Sequence, residues 1–265
     1  MTRIDKKFIQ LKKNKRKAFI AFITAGFPSI DKTFKLVLEL EKKGVDIIEL
    51  GVPFSDPLAD GAVIQNASKL ALEKKVDIDK IFKVVEKIRL YSEIPIALMT
   101  YYNPVLFYGE TKFLKRARFC GVDGLIIPDL PLEESIFLFR EAKKNKINLI
   151  QFISPTTPLA RMKKIASSAH GFIYYVSVTG VTGARKSLSC GIKKNISLIK
   201  SITDKPVCIG FGISTPAQVK SAASFSDGVI VGSSIVDVIT KYSKKSNLEH
   251  LIGNFVATLI KPIGK

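Results

Sequence analysis

The chain has 265 residues, 46% hydrophobic and 25% charged, with 17 Gly, 12 Pro and no Trp. This composition excludes collagen-like, disordered and disulfide-scaffold classes, and its length suits a parallel α/β barrel, which typically fills ~250 residues. The net charge of +19 suggests nucleic acid at first, but 34 of the 42 basic residues are Lys, whereas phosphate and base readout favours Arg.

Residues 1–17 carry eight basic groups against Asp5 and read as a basic helical segment. An apolar run follows, as in a signal peptide, but the basic stretch is too long and no A-x-A cleavage site appears. AFIAFIT (18–24) instead reads as a strand. Ile30–Lys43 then places Phe34, Val37 and Leu38 at helical spacing. The motif of a Lys-rich amphipathic segment, a small residue and a short apolar run recurs at 42–51, 120–129, 168–177 and 225–233. Further apolar runs lie at 94–100, 148–154 and 206–212, making eight strand candidates rich in Ile, Val and Phe. Helical patterns over 62–74, 78–90, 133–145 and 216–224 separate several of them, the last opening behind Thr215 as N-cap with Pro216 first.

Continuous apolar strands alternating with helices imply a parallel sheet buried on both faces. Eight units in one chain favour a single (β/α)8 TIM barrel spanning 1–265 with an extra N-terminal helix, and an open doubly wound sheet stays as the alternative. The pairs Lys42-Lys43, Lys74-Lys75, Lys143-Lys144 and Lys244-Lys245 fall at helical segments and read as solvated faces, so nucleic-acid binding is disfavoured. Cys120, Cys190 and Cys208 are far apart and suit packing in a reducing compartment. No stretch approaches the ~20 apolar residues of a membrane span, and a cytoplasmic location is expected.

In such a barrel chemistry belongs at the C-terminal strand ends. His170 precedes the sixth strand on the other rim and His250 lies in the last helix, so no metal site or Ser-His-Asp triad is expected. Nor does a Lys end any strand, which disfavours Schiff-base chemistry. Carboxylates remain. Glu49 sits inside an apolar strand, where a charge is costly unless it is used. Either it is salt-bridged within the barrel, or it is a proton donor with a desolvated, raised pKa. Asp56 and Asp60 follow in a two-proline loop, as turn formers, as a helix cap, or as chemistry. Glycine clusters at 180–184, 210–212 and 231–234 end three consecutive strands and let backbone amides approach an anion, which points to a phosphorylated ligand. Neither GVTGARKS nor GFGIST completes a nucleotide-binding fingerprint. Phe22, Ile64, Tyr101 and Tyr174 lie near the expected mouth and suit either a flat group or simple packing.

The run IELGVPFSDPLADG (48–61) with Ile64 and Gln65, AFITAGFP (21–28 at its core), SVTGVTGAR (177–185) and GFGIST (210–215) resembles the tryptophan synthase α subunit family over residues 18–240. Ala62 departs from the Pro usual there. The resemblance implies cleavage of indole-3-glycerol phosphate to indole and glyceraldehyde 3-phosphate, with Glu49 and Asp60 catalytic. It also implies a phosphate site at Gly183, Gly212, Gly232 and Ser233, an indole pocket of Phe22, Ile64, Met99, Ile126 and Tyr174, and a closing loop containing Thr182. No cofactor is expected in this chain. The implied partner is a β subunit carrying pyridoxal phosphate, in an α2β2 heterotetramer, contacted through 53–60 and 101–103. A stand-alone indole-releasing lyase is the alternative.

Overall fold

The computed structural model describes residues 1–176, 185–210 and 212–264, with side chains from 191 onward in the helix that opens at 185. The first helix, α1 (Arg3–Lys13), precedes β1 (Ala18–Thr24), α2 (Ile30–Lys42) and β2 (Ile47–Gly51). Two helices, α3 (Ala62–Glu73) and α4 (Ile78–Arg89), lead to β3 (Ile96–Met99), and two more, α5 (Tyr102–Tyr108) and α6 (Glu110–Cys120), to β4 (Gly124–Ile126). Then come α7 (Ile136–Lys144), β5 (Asn148–Ile153), α8 (Leu159–Ser168), β6 (Ile173–Val176), α9 (Arg185–Ile202) and β7 (Val207–Gly210). The order ends with α10 (Pro216–Ala223), β8 (Gly228–Val231), α11 (Ser233–Tyr242) and α12 (Leu248–Ile260).

The strands pair in parallel and in sequence order, and β8 returns to β1, with Ala18 opposite Gly228 and Ala21 opposite Val231. This closure decides between the barrel and the open sheet. It removes both sheet edges, so no strand presents unpaired backbone to solvent. The expected eight strands are all present. Several are shorter than their apolar runs, because the flanking residues lead into loops.

Local chemistry explains the helix bounds. Ser29 and Asp77 accept the N3 amides of α2 and α4, and Thr215 forms a capping box with Gln218 ahead of Pro216. The helix expected over 133–145 begins at Ile136 instead. Residues 131–135 turn first: the amides of Glu134 and Ser135 bond to the Pro131 carbonyl, and the Ser135 hydroxyl donates to Leu132 O at 2.8 Å. The lysine pairs lie at or just beyond the C-terminal ends of α2, α3, α7 and α11, where cations offset the negative helix terminus.

Outward strand residues such as Phe19, Ile23 and Leu50 pack under the helices. Inward residues form a second cluster including Ile20, Ile47, Ile150, Phe172 and Tyr174, and α1 adds Ile4, Phe8 and Leu11 to it. Those three recur at i, i+4 and i+7, one face of a helix, and close the N-terminal end of the barrel. Polar ties hold α1 there. Arg3 donates to the fully buried Asp123 at 3.2 Å, and Asn148 Nδ2 donates to Thr2 Oγ1 and Asp5 Oδ1 at 2.9 Å each. Among the described residues, no helix is long and apolar enough to cross a membrane.

Candidate active site

The alternation of β2 turns Glu49 inward, level with Phe22 of β1 and Ala97 of β3. Its side chain lines a cavity of about 260 Å³, with Phe22, Asp60, Ile64, Met99 and Tyr174 in the same wall. Glu49 is 1% exposed, and its Oε2 has no hydrogen-bond partner. The salt-bridged reading of this residue is therefore set aside: no cation meets it among the described residues. Burial, reinforced by the nearby Asp60 charge, pushes its carboxyl up to about 8.

Asp60 lies at the end of the β2–α3 loop and is only partly buried. Burial raises its carboxyl to about 6, against a hydrogen bond from Tyr101 that favours the anion. The Tyr101 hydroxyl also accepts the Ala59 amide at 2.9 Å, and its ring packs 5.3 Å from that of Phe54. One phenol thus positions the loop and the carboxylate together. Gly61 is the N-cap of α3 and Ala62 its first residue, a position that Pro and Ala both occupy without strain.

Glycines shape the apolar wall. A Cβ on Gly210 would lie 2.5 Å from the Tyr174 hydroxyl, and one on Gly51 would lie 2.5 Å from Phe22 Cζ. Tyr174 is fully enclosed, its phenol raised well above the usual range by burial and by the Glu49 and Asp60 charges.

The remaining wall comes from the ends of β7 and β8: Gly212, Ile213, Ser214, Gly232, Ser233 and Ser234. Gly232 caps α11 without a side-chain hydrogen bond, so the first amides of that helix lack intrahelical partners. Ser234 Oγ approaches Ile213 O at 3.4 Å, linking the two loops. Among the described residues no Lys or Arg lines the cavity, and from these an anion would be held by amides, hydroxyls and the helix dipole.

Nine expected site residues are thus brought to one cavity: Glu49, Asp60, Phe22, Ile64, Met99, Tyr174 and, at the anion end, Gly212 with Gly232 and Ser233 beside it. Ile126 is placed differently. It pairs with Met99 across β3 and β4 and is fully buried in the interior cluster, while the longer Met99 reaches the cavity wall. Gly183 and Thr182 lie outside the described residues. Sequence reasoning missed Ile213, Ser214 and Ile230, while Ser234 fell within the cluster 231–234. Ile230 could have been found from the inward alternation Gly228, Ile230, Gly232, whereas the others depend on how the loops curl. His170 bonds to the Ser168 carbonyl before β6, and His250 lies on α12 beside Asn254. No group of three or more potential metal ligands occurs among the described residues.

A family profile described as Tryptophan synthase alpha chain matches residues 8–258. A curated relative of that name from Thermoanaerobacter sp. (strain X514) is 51% identical over 259 residues, covering 98% of each chain. The crystal structure of tryptophan synthase subunit alpha from Legionella pneumophila str. Paris is 37% identical with a TM-score of 0.92, covering 99% of this chain and 98% of that one. A structure of Mycobacterium tuberculosis tryptophan synthase is 30% identical with a TM-score of 0.90, covering 100% and 99% respectively. With the sequence matched nearly end to end and the barrel closed in the same way, this chain belongs to the tryptophan synthase alpha chain family.

Proposed function

We propose that this chain is a lyase that cleaves indole-3-glycerol phosphate to indole and glyceraldehyde 3-phosphate within tryptophan biosynthesis. The observation that carries the reading is a fully buried carboxyl, Glu49, with one oxygen unpartnered in the wall of a cavity that also holds Asp60.

The reaction breaks the carbon–carbon bond between indole C3 and the neighbouring hydroxyl-bearing carbon. C3 gains a proton, the hydroxyl loses one, and the electron pair of the broken bond stays with the ring, so atoms balance without an external reagent. Protonated Glu49 delivers the proton to C3, and as the resulting carboxylate it takes the hydroxyl proton. Ionised Asp60 accepts the indole N–H and stabilises the positive charge that develops on the ring, an electrostatic effect of ~3–4 kcal/mol. Phe22, Ile64, Met99 and Tyr174 enclose the flat indole. Gly212, Gly232 and Ser233 receive the phosphate through amides and a hydroxyl, with Gly183 added from the loop that contains Thr182.

The alpha chain family works with a β subunit, and the reading extends to an α2β2 assembly in the cytoplasm in which pyridoxal phosphate belongs to the β subunit. Leu58 and Phe107 support a partner surface beside the cavity loops: they are 93% and 94% exposed, on the β2–α3 loop and on α5. The whole of 1–265 is read as one domain, since α1 completes the barrel core rather than standing apart.

Indole release from indole-3-glycerol phosphate, followed with the purified chain alone and with a β subunit added, tests the proposal. Glu49→Gln should lose ~10³-fold or more, within the range removed with a general acid–base, while keeping its circular dichroism spectrum. Retention of wild-type turnover in that variant would remove Glu49 from the mechanism. Full activity unaffected by a β subunit would favour the stand-alone lyase.

A further inference from the structure

The N-terminal rim, away from the catalytic cavity, holds a second cavity of about 410 Å³ between the end of α1 and the segments that lead into β1, β7 and β8. Phe8, Leu11 and Pro206 supply its apolar surface. Around them stand Lys12, Lys15, Arg16, Lys17, Lys200 and Lys205, faced by only Asp204 and Asp227. Six cations against two carboxylates leave an excess of four. Asp46, just outside the lining, offsets one of these through Arg16 at 3.6 Å. Lys200 and Lys17 share Asp227, at 2.7 Å and 3.7 Å. Among the described residues, Lys12, Lys15 and Lys205 enter no ion pair, and the cavity keeps three uncompensated positive charges.

Helix ends explain only part of this charge. Lys12 lies in the last turn of α1 and Lys200 in that of α9, where cations offset the helix dipole. Lys15 lies beyond α1, and Lys205 stands in the approach to β7, past the end of α9. Like charges gathered round one concavity repel one another and focus a positive potential into it. Lysine ammonium groups are mobile point charges with three donors each, suited to oxyanions that offer many acceptors from several directions. Thr203 adds a hydroxyl whose oxygen accepts the Lys205 amide at 3.2 Å, so its own proton is available to a ligand.

We propose that this N-terminal-rim cavity binds a small multivalent phosphate anion, of the pyrophosphate class, through Lys12, Lys15, Lys205 and Thr203. The site is separate from the catalytic cavity and does not depend on the reaction assigned to it. It also gives part of the chain's lysine excess a role that a solvated helix face does not.

Calorimetric titration of the full chain with inorganic pyrophosphate tests the proposal, run with and without excess glycerol 3-phosphate to occupy the catalytic cavity. One saturable site that survives glycerol 3-phosphate is expected. K12Q/K15Q/K205Q should weaken it by about tenfold or more, the loss of several charge-assisted contacts. K69Q/K83Q/K163Q, which removes the same charge elsewhere, should leave it nearly unchanged. All six lysines are exposed, so both variants should keep the wild-type Tm. Absence of saturable uptake, equal weakening in both variants, or complete displacement by glycerol 3-phosphate would each overturn the site. A duplex oligonucleotide that binds through these lysines without competition from pyrophosphate would replace it with a nucleic-acid surface. Failure of glycerol 3-phosphate to bind at all would count against the catalytic reading alone.

Discussion

At pH 7 a carboxyl that titrates near 8 is mostly protonated and one that titrates near 6 is mostly ionised, so Glu49 starts as a donor and Asp60 as an anion. Burial treats them unequally because Glu49 is enclosed in the barrel, whereas Asp60 keeps some solvent and a phenol hydrogen bond. The plot of kcat/KM against pH should therefore rise through about 6 and fall through about 8. In Asp60→Asn the acid limb should vanish, and the alkaline limb should move down because a negative neighbour of Glu49 is gone. Persistence of the acid limb in that variant would assign it to the substrate phosphate. The same shift affects stability. The folded state holds the Glu49 proton more tightly than the unfolded chain, so this contribution is present below about 4.5 and is lost as pH rises through about 8. Glu49→Gln should thus gain on wild type in urea denaturation at pH 9 compared with pH 5. An equal difference at both pH values would contradict the raised carboxyl.

At the level of elements, the strand ends act as spacers. Period-two alternation sends Phe22, Glu49, Tyr174 and Ile230 inward, and glycine at 51, 210 and 232 leaves room for the rings beside them. Gly210→Ala should push Tyr174 into the cavity, because its new methyl would lie 2.5 Å from the phenol oxygen and 2.7 Å from the ring. The expected result is a KM raised by about tenfold, with a smaller effect on stability, consistent with over-packing costs of ~1–3 kcal/mol. Steady-state kinetics beside a thermal melt would show it, and an unchanged KM would mean that Tyr174 does not contact substrate. Much of this was legible beforehand. An acid inside an apolar strand and glycines after three consecutive strands stand out in one dimension. The tie between Tyr101 and Asp60 did not, since 41 residues separate them and only the packing of β3 beside β2 brings them together.

Across the whole molecule, one end of the barrel is sealed by α1 and the other is left open for chemistry. The seal is an apolar stripe in a strongly basic helix. Ile4 is fully buried, and the Phe8 ring lies 5.7 Å from that of Phe172. Removing the Ile4 side chain leaves a void that the strands cannot collapse to fill, and Ile4→Ala should cost about 2–5 kcal/mol. A urea midpoint that moves by less than 1 kcal/mol equivalent would mean that the helix rests on the barrel without sealing it.

The order of strands and helices, the two cavity carboxyls and the glycines at the ends of β7 and β8 were set by local pattern: alternation, caps, and residue types whose burial or freedom has few uses. Those signals act within a strand or a turn and can be read along the chain. Closure of β8 onto β1, the sealing role of α1, the withdrawal of Ile126 from the cavity wall that Met99 reaches, and the gathering of Lys12, Lys15 and Lys205 round one hollow were decided by the tertiary structure. Each depends on contacts between segments far apart in sequence, whose geometry exists only once the barrel has closed.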